Sequence, residues 1–136
     1  MTMNNSFDSN ETIELALPLN GAYVSAARLT VASVANRLGF DVDEIEDLKA
    51  ALSEACIYII KKSPTDFRGT FHIAFLVKPS LLEIKISTDI PIKFNEVDDE
   101  MGLFMIKALM DNVEITAQDE NRTQIIMRKD HKQTTF

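Results

Sequence analysis

Glu54 and Tyr58 stand four residues apart in the run Ser53-Glu54-Ala55-Cys56-Ile57-Tyr58, a spacing that turns both side chains to one face of a helix. The pair offers a carboxylate and a phenol to whatever that face meets. The plain alternative for Glu54 is a solvated helix carboxylate. For Tyr58 it is a packing aromatic at the helix surface, with its ring buried and its oxygen wet. Other reactive groups are sparse. Cys56 is the only cysteine, so no intrachain disulfide forms, and no Cys/His cluster has zinc-ligand spacing. His72 and His131 stand far apart without a motif around them and read as structural or solvent-exposed.

The helix that must carry this pair runs from Val42 to Lys62. Asp41 is its N-cap, Asp43 and Glu44 fall in the first turn, and Lys61 and Lys62 fall in the last, each sign suiting the macrodipole. Ile45, Leu48, Leu52, Ala55 and Ile59 recur at helical spacing, and Pro64 ends the run. Upstream, Ile13, Leu15 and Leu17 alternate with Glu14 and Ala16 as a short half-buried strand ending at Pro18. A first helix over Gly21 to Leu38 shows the stripe Val24, Ala27, Val31, Val34 and Leu38, with Gly39 as its stop. Downstream, Phe71 to Val77 and Leu82 to Ser87 alternate as hairpin strands around Lys78-Pro79-Ser80. Asp89 to Asp99 reads as a connection, with Pro91 and an acidic cluster. A third helix from about Asp99 to Asp111 is so apolar that it is expected to lie buried between layers. Val113 to Ala117 and Thr123 to Arg128 make a last hairpin around Asp119-Glu120-Asn121.

Strand, helix, helix, strand, strand, helix, strand, strand implies an α+β fold, a two-layer α/β sandwich with a mostly antiparallel sheet and three helices on one face. The 136 residues suit one domain, residues 11–129, between a flexible leader, 1–10, and a flexible tail, 130–136. The net charge is −7, and Arg128-Lys129-Asp130-His131-Lys132 is the one mildly basic stretch, which argues against nucleic acid as a partner and leaves room for a basic protein. No apolar run is long enough to span a bilayer and the first residues lack signal-peptide character, so no membrane association and a cytoplasmic location are expected.

The same order of elements resembles the bacterial anti-sigma factor serine kinases of the RsbW and SpoIIAB type. The blocks that carry the resemblance are Ala27-Arg28-Leu29-Thr30-Val31-Ala32-Ser33, Asp43-Glu44-Ile45-Glu46-Asp47-Leu48-Lys49, Ser53-Glu54-Ala55, and Met101-Gly102-Leu103-Phe104-Met105-Ile106 followed by Leu109-Met110-Asp111. They span about Ile13 to Arg128. The implied fold is the Bergerat-type, histidine-kinase-like ATPase domain (GHKL), shared with histidine kinases, gyrase and MutL.

The resemblance implies a catalytic role for Glu54 as general base, followed one turn later by an asparagine that holds magnesium. Tyr58 occupies that second position, and a neutral phenol is a bulky, poor substitute among the hard oxygen ligands magnesium takes. The family's Asp-x-Gly-x-Gly adenine motif corresponds to Ile86-Ser87-Thr88-Asp89-Ile90-Pro91-Ile92, where Asp89 supplies a carboxylate with a one-residue offset and both glycines are missing. At the phosphate-facing helix start Gly102 alone persists, behind the negative charge of Glu100. Asp89 and Gly102 are therefore the cofactor-binding candidates of a degenerate ATP site. No cofactor is expected; ATP and magnesium would enter only if the site functions despite these changes, and no resident metal is expected. Arg28 matches the surface with which these proteins grip a sigma factor or an anti-anti-sigma antagonist, the alternative being a stem packed on the helix with its head in water. The expected function is an anti-sigma-factor-like regulator, a homodimer that binds such a partner. Its alternatives are an active serine kinase that phosphorylates an antagonist protein and a structural dimerisation subunit of a signalling assembly.

Overall fold

Alternation of apolar and polar residues along five strands builds one antiparallel sheet in the order β1-β2-β3-β5-β4. The computed structural model describes residues 11–63, 68–89, 100–119 and 122–131. In chain order the elements are β1 (Glu11–Pro18), a 3-10 turn (Gly21–Tyr23), α1 (Val24–Leu38), α2 (Val42–Lys62), β2 (Thr70–Lys78), β3 (Leu81–Thr88), α3 (Glu100–Leu109), β4 (Asn112–Asp119) and β5 (Arg122–Asp130). This is the expected α+β fold, with the helices on one face of the sheet. The proposed leader and the end of the proposed tail, residues 132–136, lie outside the described residues, as do Pro64, Pro91 and the acidic run before α3.

One face of the sheet supplies Phe71, Ile73 and Phe75 from β2, Ile84 and Ile86 from β3, and Ile125 and Met127 from β5. Against it α2 lays Leu48, Leu52, Ala55 and Ile59, each fully buried. A fully buried Leu, Ile or Phe side chain contributes roughly 1.5–3 kcal/mol, so this seam is the main source of stability. The start of α2 is fixed by a capping box: Asp41 accepts from the Glu44 N–H at 2.8 Å, and Glu44 accepts from the Asp41 N–H at 3.0 Å. Gly39 ends α1 at φ 88°, a left-handed conformation that glycine adopts without steric cost.

α3 departs from the sequence expectation. Ile106 and Met110 are buried, but Phe104 is 68 % and Met105 42 % exposed. The helix caps the edge of the core with one face and turns an apolar face to solvent, because the fold has two layers and nothing in the chain's described residues forms a third.

The end of β5 ties the helices to the sheet. Lys129 Nζ donates to the Leu109 carbonyl at 2.8 Å, next to the end of α3, and lies 3.8 Å from Asp47 of α2. The Asp130 N–H donates to Asp111 Oδ2 at 2.7 Å. Beyond the strand, the His131 N–H donates to the Ser80 carbonyl at 2.9 Å, and its ring lies 4.8 Å from that of Phe40 in the α1–α2 turn. Asp130 and His131, assigned by sequence to the flexible tail, are thus tied into the fold.

Candidate functional site

α2 lies between α1 and α3, and its two flanks carry different chemistry. On the α1 side, Arg28 Nη1 donates to Ser53 Oγ at 2.8 Å, while Ser53 Oγ donates to the Lys49 carbonyl at 2.9 Å. Arg28 is half-buried, so its head is held between helices rather than free in water. The opposite flank is marked by Asp47, which meets Lys129 where α3 ends; Glu54 and Tyr58 follow it at helical spacing.

On that flank Glu54 is half-buried and Tyr58 is 5 % exposed within the hydrophobic cluster. The sequence alternative for Tyr58, an aromatic at the helix surface, is corrected by its place in the core. It belongs to the same buried cluster as Ile59 and Ile106, where a smaller amide would leave volume unfilled. The sulfur of Cys56, on the same helix, is also enclosed, and burial pushes its thiol up to about 12.

Asp89 is 73 % exposed just beyond β3, with Oδ2 3.6 Å from His72 Nε2. His72 belongs to the sheet face away from the helices, as alternation with buried Phe71 and Ile73 requires. The preceding residue, Thr88, is the one turned inward, 1 % exposed. Gly102, near the start of α3, is half-buried, and a Cβ added there would meet no atom within 4 Å beyond its own stretch of helix. Crowding therefore does not require glycine at that position.

The structure brings Glu54 and Tyr58 to one flank, with Arg28 across α2 from them and Asp89 paired outward. As a magnesium-nucleotide site the set fits poorly: it offers one carboxylate and a phenol closed into the core. Among the described residues no group of three His, Cys, Asp or Glu side chains could hold a metal ion. A shallow depression of about 380 Å³, lined by Glu14, Ala16, His72, Lys85, Ser87 and Gln124, lies on the open face of the sheet, away from Glu54.

Ser53 and Thr88 are the residues sequence reasoning missed. The parity of Ile84 and Ile86 identifies Thr88 as inward-facing. Ser53 had no local signal, because its partner Arg28 is 25 residues away.

A profile of the histidine kinase-like ATPase domain matches residues 17–129. Serine-protein kinases RsbW of Bacillus thuringiensis and Bacillus cereus are 34 % identical to this chain over 137 aligned positions, covering 88 % of it and 84 % of each relative. Among solved structures, the RsbU and RsbW domains of a Mycobacterium tuberculosis protein superpose with a TM-score of 0.70 at 16 % identity, covering 88 % of this chain and 32 % of that one. At that identity the likeness speaks for the fold.

Proposed function

The chain belongs to the histidine kinase-like ATPase family, alongside the RsbW-type serine-protein kinases, and on that premise we propose that it is an anti-sigma-factor-like regulator acting by protein binding rather than by phosphoryl transfer. Its partner is a sigma factor or an anti-anti-sigma antagonist, and it works in the cytoplasm as a homodimer. The observation that carries this reading is Tyr58. The residue at the position of the magnesium-holding amide is an aromatic with 5 % exposure, built into the core. The exposed position of Asp89, beside His72 on the sheet face away from the helices, supports the same reading.

The kinase reading has two observations in its favour, the naming of the relatives as serine-protein kinases and the retained Glu54. One experiment separates the two. Calorimetric titration of the chain with Mg-ATP, followed by a binding assay against a sigma factor and an anti-anti-sigma protein in the absence of nucleotide, is expected to give no heat of nucleotide binding and a measurable protein complex. Micromolar, magnesium-dependent ATP binding would sink the proposal in favour of the kinase.

A further inference from the structure

β1 is an edge strand whose outer side is unpaired among the described residues, and the pattern of its hydrogen bonds shows what it offers. Its register with β2 is continuous from Glu11↔Val77 to Pro18↔Thr70, without a bulge. The Leu19 N–H donates to the Gly69 carbonyl at 2.9 Å, which sets the parity of the ladder. In an antiparallel pair, residues alternate between exchanging both backbone bonds with the neighbour and turning both groups away. Leu17, Leu15 and Ile13 share the parity of Leu19 and bond to β2. Thr12, Glu14 and Ala16 therefore direct their N–H and C=O groups to the free edge, and Pro18 closes the row because it has no N–H.

Sheet edges of this length are commonly blunted by a bulge, a lysine or an interior proline. The other edge strand, β4, has a register irregularity between Ala117 and Asp119. β1 has none of these features in its interior. Its charged residues are Glu11 and Glu14, both exposed and without an ion pair among the described residues, in a chain of net charge −7. Ile13, 39 % exposed, and the half-buried Leu15 lie on the helix side of the strand, while Glu14 lies on the open side.

We propose that the β1 edge is a docking site for an extended segment of a partner protein in which Lys or Arg alternates with apolar residues, added to the sheet as a sixth strand. The surface is distinct from the α2 flanks and from Arg28. Residues opposite each other on neighbouring strands share a face, so the guest sets a cation beside Glu14 and apolar side chains beside Ile13 and Leu15. Backbone bonds to Thr12, Glu14 and Ala16 supply affinity, and the alternation supplies specificity. A second copy of β1 is a poorer guest, because pairing centred on Glu14 sets like charges directly opposite.

The test uses a fluorescently labelled peptide of three Val-Lys repeats and its Val-Glu counterpart, titrated into the full chain at low salt and followed by anisotropy. The Val-Lys peptide is expected to bind and the Val-Glu peptide to fail. Ala16→Pro removes an outward donor without taking a bond from β2, so it should weaken binding by about tenfold or more at an unchanged melting temperature. If that variant does not fold, Glu14→Lys provides the second arm and should abolish the preference for the basic peptide. Amide hydrogen exchange should slow at Thr12, Glu14 and Ala16 when peptide is added. Absence of peptide binding, equal binding by wild type and both variants, or a wild-type dimer dispersed by Ala16→Pro would each overturn the proposal, the last by assigning the edge to a second copy.

Discussion

Arg28 and Ser53 are joined across the α1–α2 interface by a 2.8 Å hydrogen bond from the guanidinium to the hydroxyl, and the Ser53 hydroxyl in turn donates to the Lys49 carbonyl at 2.9 Å. An arginine that sequence resemblance assigns to a partner surface is thus also a strut between helices. Arg28→Ala and Ser53→Ala should each lower stability by about 1 kcal/mol, and the double variant should fall short of their sum by about 0.5 kcal/mol or more. Urea unfolding of the four proteins checks this. Strict additivity would show that the bond contributes nothing.

Charge reversal at the same position addresses binding. If the guanidinium meets a partner protein, Arg28→Glu should weaken that complex by about 1 to 3 kcal/mol, more at low salt than at high salt. Affinities at two salt concentrations, set beside the thermal melt of the variant, separate loss of contact from loss of fold.

Tyr58→Asn restores the amide that the family resemblance calls for, yet it exchanges a buried aromatic for a smaller polar group. It should cost about 3 kcal/mol or more of stability and confer no Mg-ATP binding, since a cavity is opened and a buried amide left to find partners. Urea midpoints and calorimetric titration are the measurements. Nucleotide binding by the variant would show that Tyr58 alone closes the site.

Cys56 makes stability sensitive to alkali. Its thiol is raised from an ordinary 9.0 to about 12 by burial, so below pH 9 both folded and unfolded chains hold the proton and nothing is lost. Between these values the unfolded chain ionises first and is favoured, and stability falls as pH rises. Cys56→Ala should flatten this alkaline limb in denaturation curves recorded from pH 8 to 11. A thiol reagent should label the wild type only when it unfolds.

Gly39→Ala tests the α1–α2 turn. An added Cβ would sit 3.5 Å from His131 Nε2, an ordinary contact, so the cost comes from φ 88° and should be about 1 kcal/mol. A melting temperature equal to wild type would refute it.

What could be read from the sequence follows from the range of each signal. The cap at Asp41, the stop at Gly39 and the alternation in β2 and β3 are local, and the structure reproduces them. α3 was legible as a helix but not in its surroundings: apolar composition states what a helix could bury, whereas Phe104 stays exposed because nothing among the described residues forms a third layer over it. In the candidate site, the spacing of Glu54 and Tyr58 fixes their common flank, but the depth of Tyr58 depends on the volume left between α2, α3 and the sheet. Asp89 shows the limit most plainly. A one-residue offset in a strand changes the face, so Thr88 turns inward while Asp89 reaches His72.

The position of β5 between β3 and β4 bears on the order of events during synthesis. β5 is the last of these elements to leave the ribosome, yet β4 has no neighbour until it arrives, and β3 keeps an open edge until then. β1, β2 and β3 can assemble as soon as they emerge, whereas closing the hydrophobic seam waits for Ile125 and Met127. A nascent chain halted before Arg122 would expose both an unpaired strand and apolar helix faces, the combination that draws chaperones or neighbouring chains.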